Sequence, residues 1–176
     1  MCIVRQRLQA AGLVLPAVTA PNGSYQGVIV HRGLAYVAGQ LSRLDGKVIS
    51  GPVEQLGEQE VALAARSSVL RALSALENAI GSLDQIEAVL RMTGFIYSGP
   101  DFGAHSRVLE PASEVLHIAF LGKGAHVRSA IGVSSLPSGG CVEVEITAAL
   151  VPPFPPKPDD RPTSLFIEPG GSGAGL

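Results

Sequence analysis

The amino-acid sequence predicts one α+β domain, a mostly antiparallel sheet with two helices packed on one face. Three observations predict it. With 176 residues, 46% of them hydrophobic, the chain can bury one good core and is too short for two ordinary domains. Two long segments carry apolar residues every three or four positions, the period of a helix with one buried face. Five shorter segments are β-branched or alternate between apolar and polar residues, and the order β-β-α-β-α-β-β sets both helices against one sheet face.

The N-terminus holds Arg5 and Arg7 and then the mildly apolar LQAAGLVLPAVTA, which has a faint signal-peptide look. Gln9, Gly12 and Pro16 interrupt it, so it reads as structural. Residues 25–40 contain two short strands split by His31, Arg32 and Gly33, a tight hairpin. The following stretch is a loop whose Asp45-Gly46 and Gly51-Pro52 pairs are turn chemistry. Glu54, Glu58 and Glu60 put negative charge where a helix N-terminus welcomes it.

Val61, Ala65, Val69, Leu73, Leu76 and Ile80 then mark a helix from Glu58 to Ile80, stopped by Gly81. Residues 86–97 form a strand in which Leu90, Met92 and Ile96 alternate with Arg91, Thr93 and Tyr97. Residues 102–121 repeat the helical spacing, with Gly122 as the stop. Pro111 inside them demands a bend or a true helix start nearby.

Two strands close the domain, 126–133 and 141–151. In the second, Val142, Val144, Ile146, Ala148 and Leu150 share one face and leave Glu143, Glu145 and Thr147 on the other. The domain thus spans residues 1–151, and residues 152–176 are a Pro/Gly-rich tail, in which TSLFIE reads as linker or as a docking segment.

Composition narrows the function. Only 16% of residues are charged, so much of the surface is neutral or shared with another subunit. A formal charge of −2 with no Lys/Arg-rich run leaves no footprint for nucleic acid. No stretch reaches the roughly 18 apolar residues of a membrane span. Cys2 and Cys141 make neither a disulfide framework nor a zinc cluster, a pattern that suits a reducing cytoplasm. His31, His105, His117 and His126 lack metal-ligand spacing and read as surface or satisfied core residues, so neither a metal nor a cofactor is expected.

Arg128 sits in an otherwise small, apolar strand. A strand-borne guanidinium matches a carboxylate bidentately, which points to a small acid as ligand; on periodicity alone an internal ion pair with Glu143 or Glu145 comes ahead of it. Glu143 and Glu145 lie two residues apart on one strand face, ordinary for a solvated strand. Under a subunit interface, desolvation would raise the pKa of one and fit it for general acid/base work. Tyr25 follows the turn PNGS and either closes over a ligand or covers the core edge. Gly39, near the end of the second strand, admits a ligand to its backbone N–H or forms a turn.

Gly23-Ser24-Tyr25, the strand end from Tyr36 to Gln40, and R-S-x-x-x-V-x-x-L-P-x-x-x-x-V-E-V-E from Arg128 to Glu145 together resemble the YjgF/RidA family, also called endoribonuclease L-PSP-like. The resemblance runs from about Leu8 to Val151. It implies a chorismate mutase-like fold and a homotrimer with clefts between subunits. It also implies hydrolysis of reactive enamines and imines, such as 2-aminoacrylate and 2-iminobutanoate, to 2-keto acids and ammonia without a cofactor. By position, Arg128 would grip the substrate carboxylate, Gly39 would offer an N–H, Tyr25 would line the cleft and Glu143 would position or activate water. Ala38, Ala130 and the stretch around Glu110-Pro111 depart from the best-known branch, which marks a divergent one. A non-catalytic or regulatory trimer that binds small carboxylates would use the same residues, and an endoribonuclease or translation inhibitor is a third, weaker reading.

Overall fold

The computed structural model describes residues 2–21 and 23–153. Among these residues four α-helices, α1 (Ile3–Ala10), α2 (Glu58–Ile80), α3 (His105–Val108) and α4 (Glu110–Phe120), combine with seven strands. These are β1 (Val28–His31), β2 (Leu34–Leu41), β3 (Arg43–Leu44), β4 (Lys47–Val48), β5 (Ile86–Tyr97), β6 (Val127–Val133) and β7 (Val142–Leu150). The main sheet runs β1-β2-β7-β5-β6, and β3 and β4 make a separate small ribbon. Every pairing in the main sheet is antiparallel except β5 with β6. That exception follows from the α3-α4 crossover, since parallel neighbours need a long connection.

The predicted hairpin is present. His31 pairs with Leu34 across Arg32 and Gly33, whose φ values of 48° and 77° give the left-handed twist that a two-residue turn needs. Asp45 and Gly46 repeat the device at φ 49° and 80°, so part of the expected loop is the β3-β4 ribbon. α2 has the predicted bounds, and Gly81 ends it at φ 84°. The second helical segment breaks at Leu109, with Pro111 in the first turn of α4, where a missing N–H costs nothing.

α2 and α4 bury one face of the sheet. The even residues of β7 from Val142 to Leu150 are all buried, together with Leu73, Leu76, Leu116, Met92 and Ile96. Ser68, buried on α2, donates within its own helix to Ala64 O (3.0 Å) or across to Val142 O (3.2 Å), so its hydroxyl is satisfied in the core. The other sheet face stays open. Ile29 (54% exposed), Tyr36 (46%) and Ile131 (42%) lie on it as apolar surface.

Two expectations need correction. Leu90 does not face the core: it is 40% exposed and Val89 is buried instead, because the register with β7 shifts between Val89 and Arg91 and moves the alternation by one residue. The segment before residue 10 is a helix, α1, absent from the predicted order. Val4 and Leu8 anchor it in the core, and the Asp84 carboxylate accepts the N–H of Ile3 (2.8 Å) and Val4 (3.0 Å) at its N-terminus. Burial alone would raise the pKa of Asp84, but the N–H groups of Val4 and Ile3 and the Cys2 thiol hold it below the usual carboxylate range. Among the described residues, no helix is long and apolar enough to cross a membrane and no group of side chains could hold a metal. The tail beyond Pro153 lies outside the described residues.

Candidate functional site

β1 pairs with β2 as far as Val37, and the Ala38 N–H still donates to Gly27 O (2.9 Å), so the edge of β2 left free begins at Gly39. There the register with β7 shifts between Val37 and Gln40, a bulge of the kind that re-aims side chains beside binding sites. A cavity of about 800 Å³ runs along this edge, walled by the chain before β1, by α2 and by the start of β7. Tyr25, Gly39 and Glu143 all line it.

Gly39 is required by a close approach. A Cβ at this position would fall on the Glu143 carboxylate, so the absent side chain is what lets Glu143 lie across the edge strand. Glu143 is half-buried and accepts no hydrogen bond from the described residues. Burial pushes its pKa up, and the neighbouring Glu145 pushes it further. Such a carboxyl holds a proton nearer to neutrality than a solvated one and can exchange it with a ligand. Tyr25 is 55% exposed at the mouth of the cavity, so it borders the site rather than covering the core edge.

Arg128 stands elsewhere. It pairs in register with Met92, which pairs with Ile146, so it belongs to the helix-facing row of the sheet. Glu143 pairs with Phe95, which pairs with Ile131, in the open-face row. Within one chain, therefore, the two residues occupy opposite faces.

The Arg128 guanidinium is also well partnered. Nη1 donates to Glu110 Oε2 (3.0 Å) and Ser113 Oγ (2.8 Å), and Nη2 donates to Ser106 O (3.1 Å) and Ser106 Oγ (2.8 Å). An internal ion pair, one of the two readings of Arg128 in the sequence, is present, but its partner is Glu110 and not Glu143 or Glu145. Strand alternation could suggest partners only on strands, whereas the real partners come from α3 and α4, which cross over β6. Glu110 is 61% exposed at its side chain, so this pair opens to solvent on one side.

Sequence reasoning missed two features. Arg43 and Arg71 line the cavity beside Glu143, and in sequence both look like ordinary surface residues. His117 and His126 have ring centroids 6.0 Å apart, a proximity that their spacing did not reveal. Both ring nitrogens of His126 are engaged, Nδ1 with Gly124 O (2.7 Å) and Nε2 with Ser113 Oγ (3.1 Å), so this histidine is a satisfied structural group. His105 bonds Ser98 Oγ at 3.2 Å.

Comparison with known proteins adds the following. Residues 16–150 match the family model described as endoribonuclease L-PSP. Protein TCP17 of Trypanosoma cruzi is 34% identical over 150 residues, which cover 84% of this chain and 94% of that protein. The crystal structure of a protein of unknown function from Agrobacterium tumefaciens matches with a TM-score of 0.78 and 28% identity, over 85% of this chain and 94% of the other. E. coli TdcF with bound serine shares the fold, at a TM-score of 0.52 and 21% identity over 76% of this chain and 94% of its own.

Proposed function

The chain belongs to the endoribonuclease L-PSP family, the YjgF/RidA group, and from that premise we propose that it hydrolyses reactive enamines and imines to 2-keto acids and ammonia without a cofactor. The observation that carries this reading is the half-buried Glu143 carboxyl, unpartnered and raised in pKa, against Gly39 in a cavity. An imine carbon is already electrophilic, so its hydrolysis asks for orientation and proton transfer more than for a strong nucleophile.

The step balances with water alone. Glu143, as carboxylate, takes a proton from water while the water oxygen bonds to the C=N carbon and the π pair moves to nitrogen. The proton is returned to nitrogen to give a carbinolamine; Glu143 then takes the proton of its hydroxyl and passes it to nitrogen as the C–N bond breaks, so that ammonia leaves a carbonyl. An enamine enters the same route after protonation at its terminal carbon. Gly39 supplies a backbone N–H to the ligand, and Tyr25 closes the mouth.

The substrate carboxylate is the task of Arg128, and that residue lies on the far sheet face from Glu143. A complete site thus combines Glu143, Gly39 and Tyr25 of one copy with Arg128 of another, in a homotrimer whose open sheet faces cover the exposed Ile29, Tyr36 and Ile131. Glu110 releases Arg128 to the substrate, an exchange of one exposed carboxylate for another. The test is 2-keto acid formation from freshly generated 2-aminoacrylate by the wild type and by Glu143→Gln. Turnover that is lost in the variant supports the proposal. Binding of small carboxylates without turnover in the wild type would instead favour a non-catalytic, regulatory trimer.

A further inference from the structure

Arg43 and Arg71 enter the Glu143 cavity from β3 and from the middle of α2, elements that the reaction above does not use. Both residues are half-buried. Carboxylates pair with Arg5, Arg66, Arg107 and Arg128, but among the described residues neither Arg43 nor Arg71 has such a partner. Arg71 donates Nη2 to Thr19 Oγ1 at 2.8 Å, and its Nε is buried with no acceptor. Among the described residues Arg43 reaches only the carbonyl of Gly46, at 3.5 Å. Burial, and then the positive charge of Arg43, pull the pKa of Arg71 down.

Two cations that repel each other in a partly dry cavity, with several N–H donors unspent, are costly for the chain alone. An oxyanion would relieve both problems, because each guanidinium presents a planar fork that matches two oxygens. Arg71, Ala75 and Asn78 recur along one face of α2 that walls the cavity, so both arginines share one continuous space with Glu143.

We infer that Arg43 and Arg71 form an oxyanion subsite that takes a carboxylate or phosphate group of a ligand bound in the Glu143 cavity. That this group belongs to the substrate, making it a second acid beside the one held by Arg128, rests on the hydrolase reading. Oxyanion binding itself does not.

Calorimetric titration of inorganic phosphate and, separately, succinate into the full chain at low ionic strength tests the inference. At least one should bind, and Arg71→Gln and Arg43→Gln should each weaken it about tenfold or more, the loss of a charge-assisted contact. Glu143→Gln should retain it. Preference for succinate assigns a carboxylate and preference for phosphate assigns a phosphoryl group. Arg43 lies on the short ribbon outside the main sheet, so its variant keeps the fold even if that of Arg71 does not. No binding of either anion, or unchanged binding in the folded Arg43 variant, would overturn the subsite. Anion binding by a wild type that turns over no imine would overturn only the hydrolase reading.

Discussion

The two faces of the sheet treat their charged residues in opposite ways. On the helix face Arg128 spends four hydrogen bonds on Ser106, Glu110 and Ser113. On the open face Glu143 accepts none from the described residues, and burial with Glu145 at hand raises its pKa. A charge that is satisfied within its own chain holds structure together. A charge left desolvated and unpartnered is held at a cost, and such groups cluster where proton transfer takes place.

The largest expected effect falls on the unpartnered group. Glu143→Gln keeps the shape of the side chain and removes its proton acceptor, so turnover of 2-aminoacrylate should fall about a hundredfold or more with the fold intact by circular dichroism. Activity within a few-fold of wild type would erase the contrast between the faces. Gly39→Ala attacks the same group indirectly: the new methyl must displace the Glu143 carboxylate rather than any backbone, so the protein folds. Misplacement of this order should lower turnover by about a hundredfold or less. An alanine variant as active as wild type would mean that the position of Glu143 does not matter.

Arg128→Lys sharpens the other half. The charge is kept, but an ammonium cannot reproduce the guanidinium fork, and the loss should be about ten- to a hundredfold in substrate affinity or turnover, close to that of Arg128→Ala. If the Lys variant loses stability while its affinity and turnover stay at wild-type values, Arg128 is only the ion-pair partner of Glu110.

How legible these contrasts were depended on whether the deciding neighbour was close in sequence. α2 was predictable to its ends because helical spacing and a terminal glycine are local signals. The face of each β7 residue followed from strict alternation. Leu90 was misplaced because a bulge breaks that alternation without marking the sequence. α1 escaped notice because only Val4 and Leu8 anchor it in the core and its N-terminal acceptor, Asp84, lies 80 residues away along the chain from Val4. The site behaved likewise: Tyr25, Gly39 and Glu143 do line one cavity, whereas Arg128, singled out with them, faces the other way. Its partners on α3 and α4 could not be read from strand periodicity.

The smallest effect is on stability. Burial raises the pKa of Glu143, so the folded chain holds that proton more tightly than the unfolded chain does. This contribution is fully present below the unfolded value of about 4.3 and is lost as pH rises through the folded value. Glu143→Gln should therefore melt at the same temperature as wild type in acid and on the order of a degree or two higher at neutral pH. A difference of the opposite sign, or one that does not depend on pH, would show that the carboxylate is stabilised in the folded state.

The central claim, that a working site joins Glu143 of one copy to Arg128 of another, is tested most directly by mixing. Arg128→Ala and Glu143→Gln are each expected to keep about a tenth of wild-type turnover or less. After the two are unfolded together, refolded and allowed to assort at random from equal amounts, about a quarter of the clefts would hold both intact groups. Turnover should then recover to about a quarter of the wild-type value. A mixture no more active than the sum of its parents, in particles shown by mass to contain both variants, would contradict the shared site.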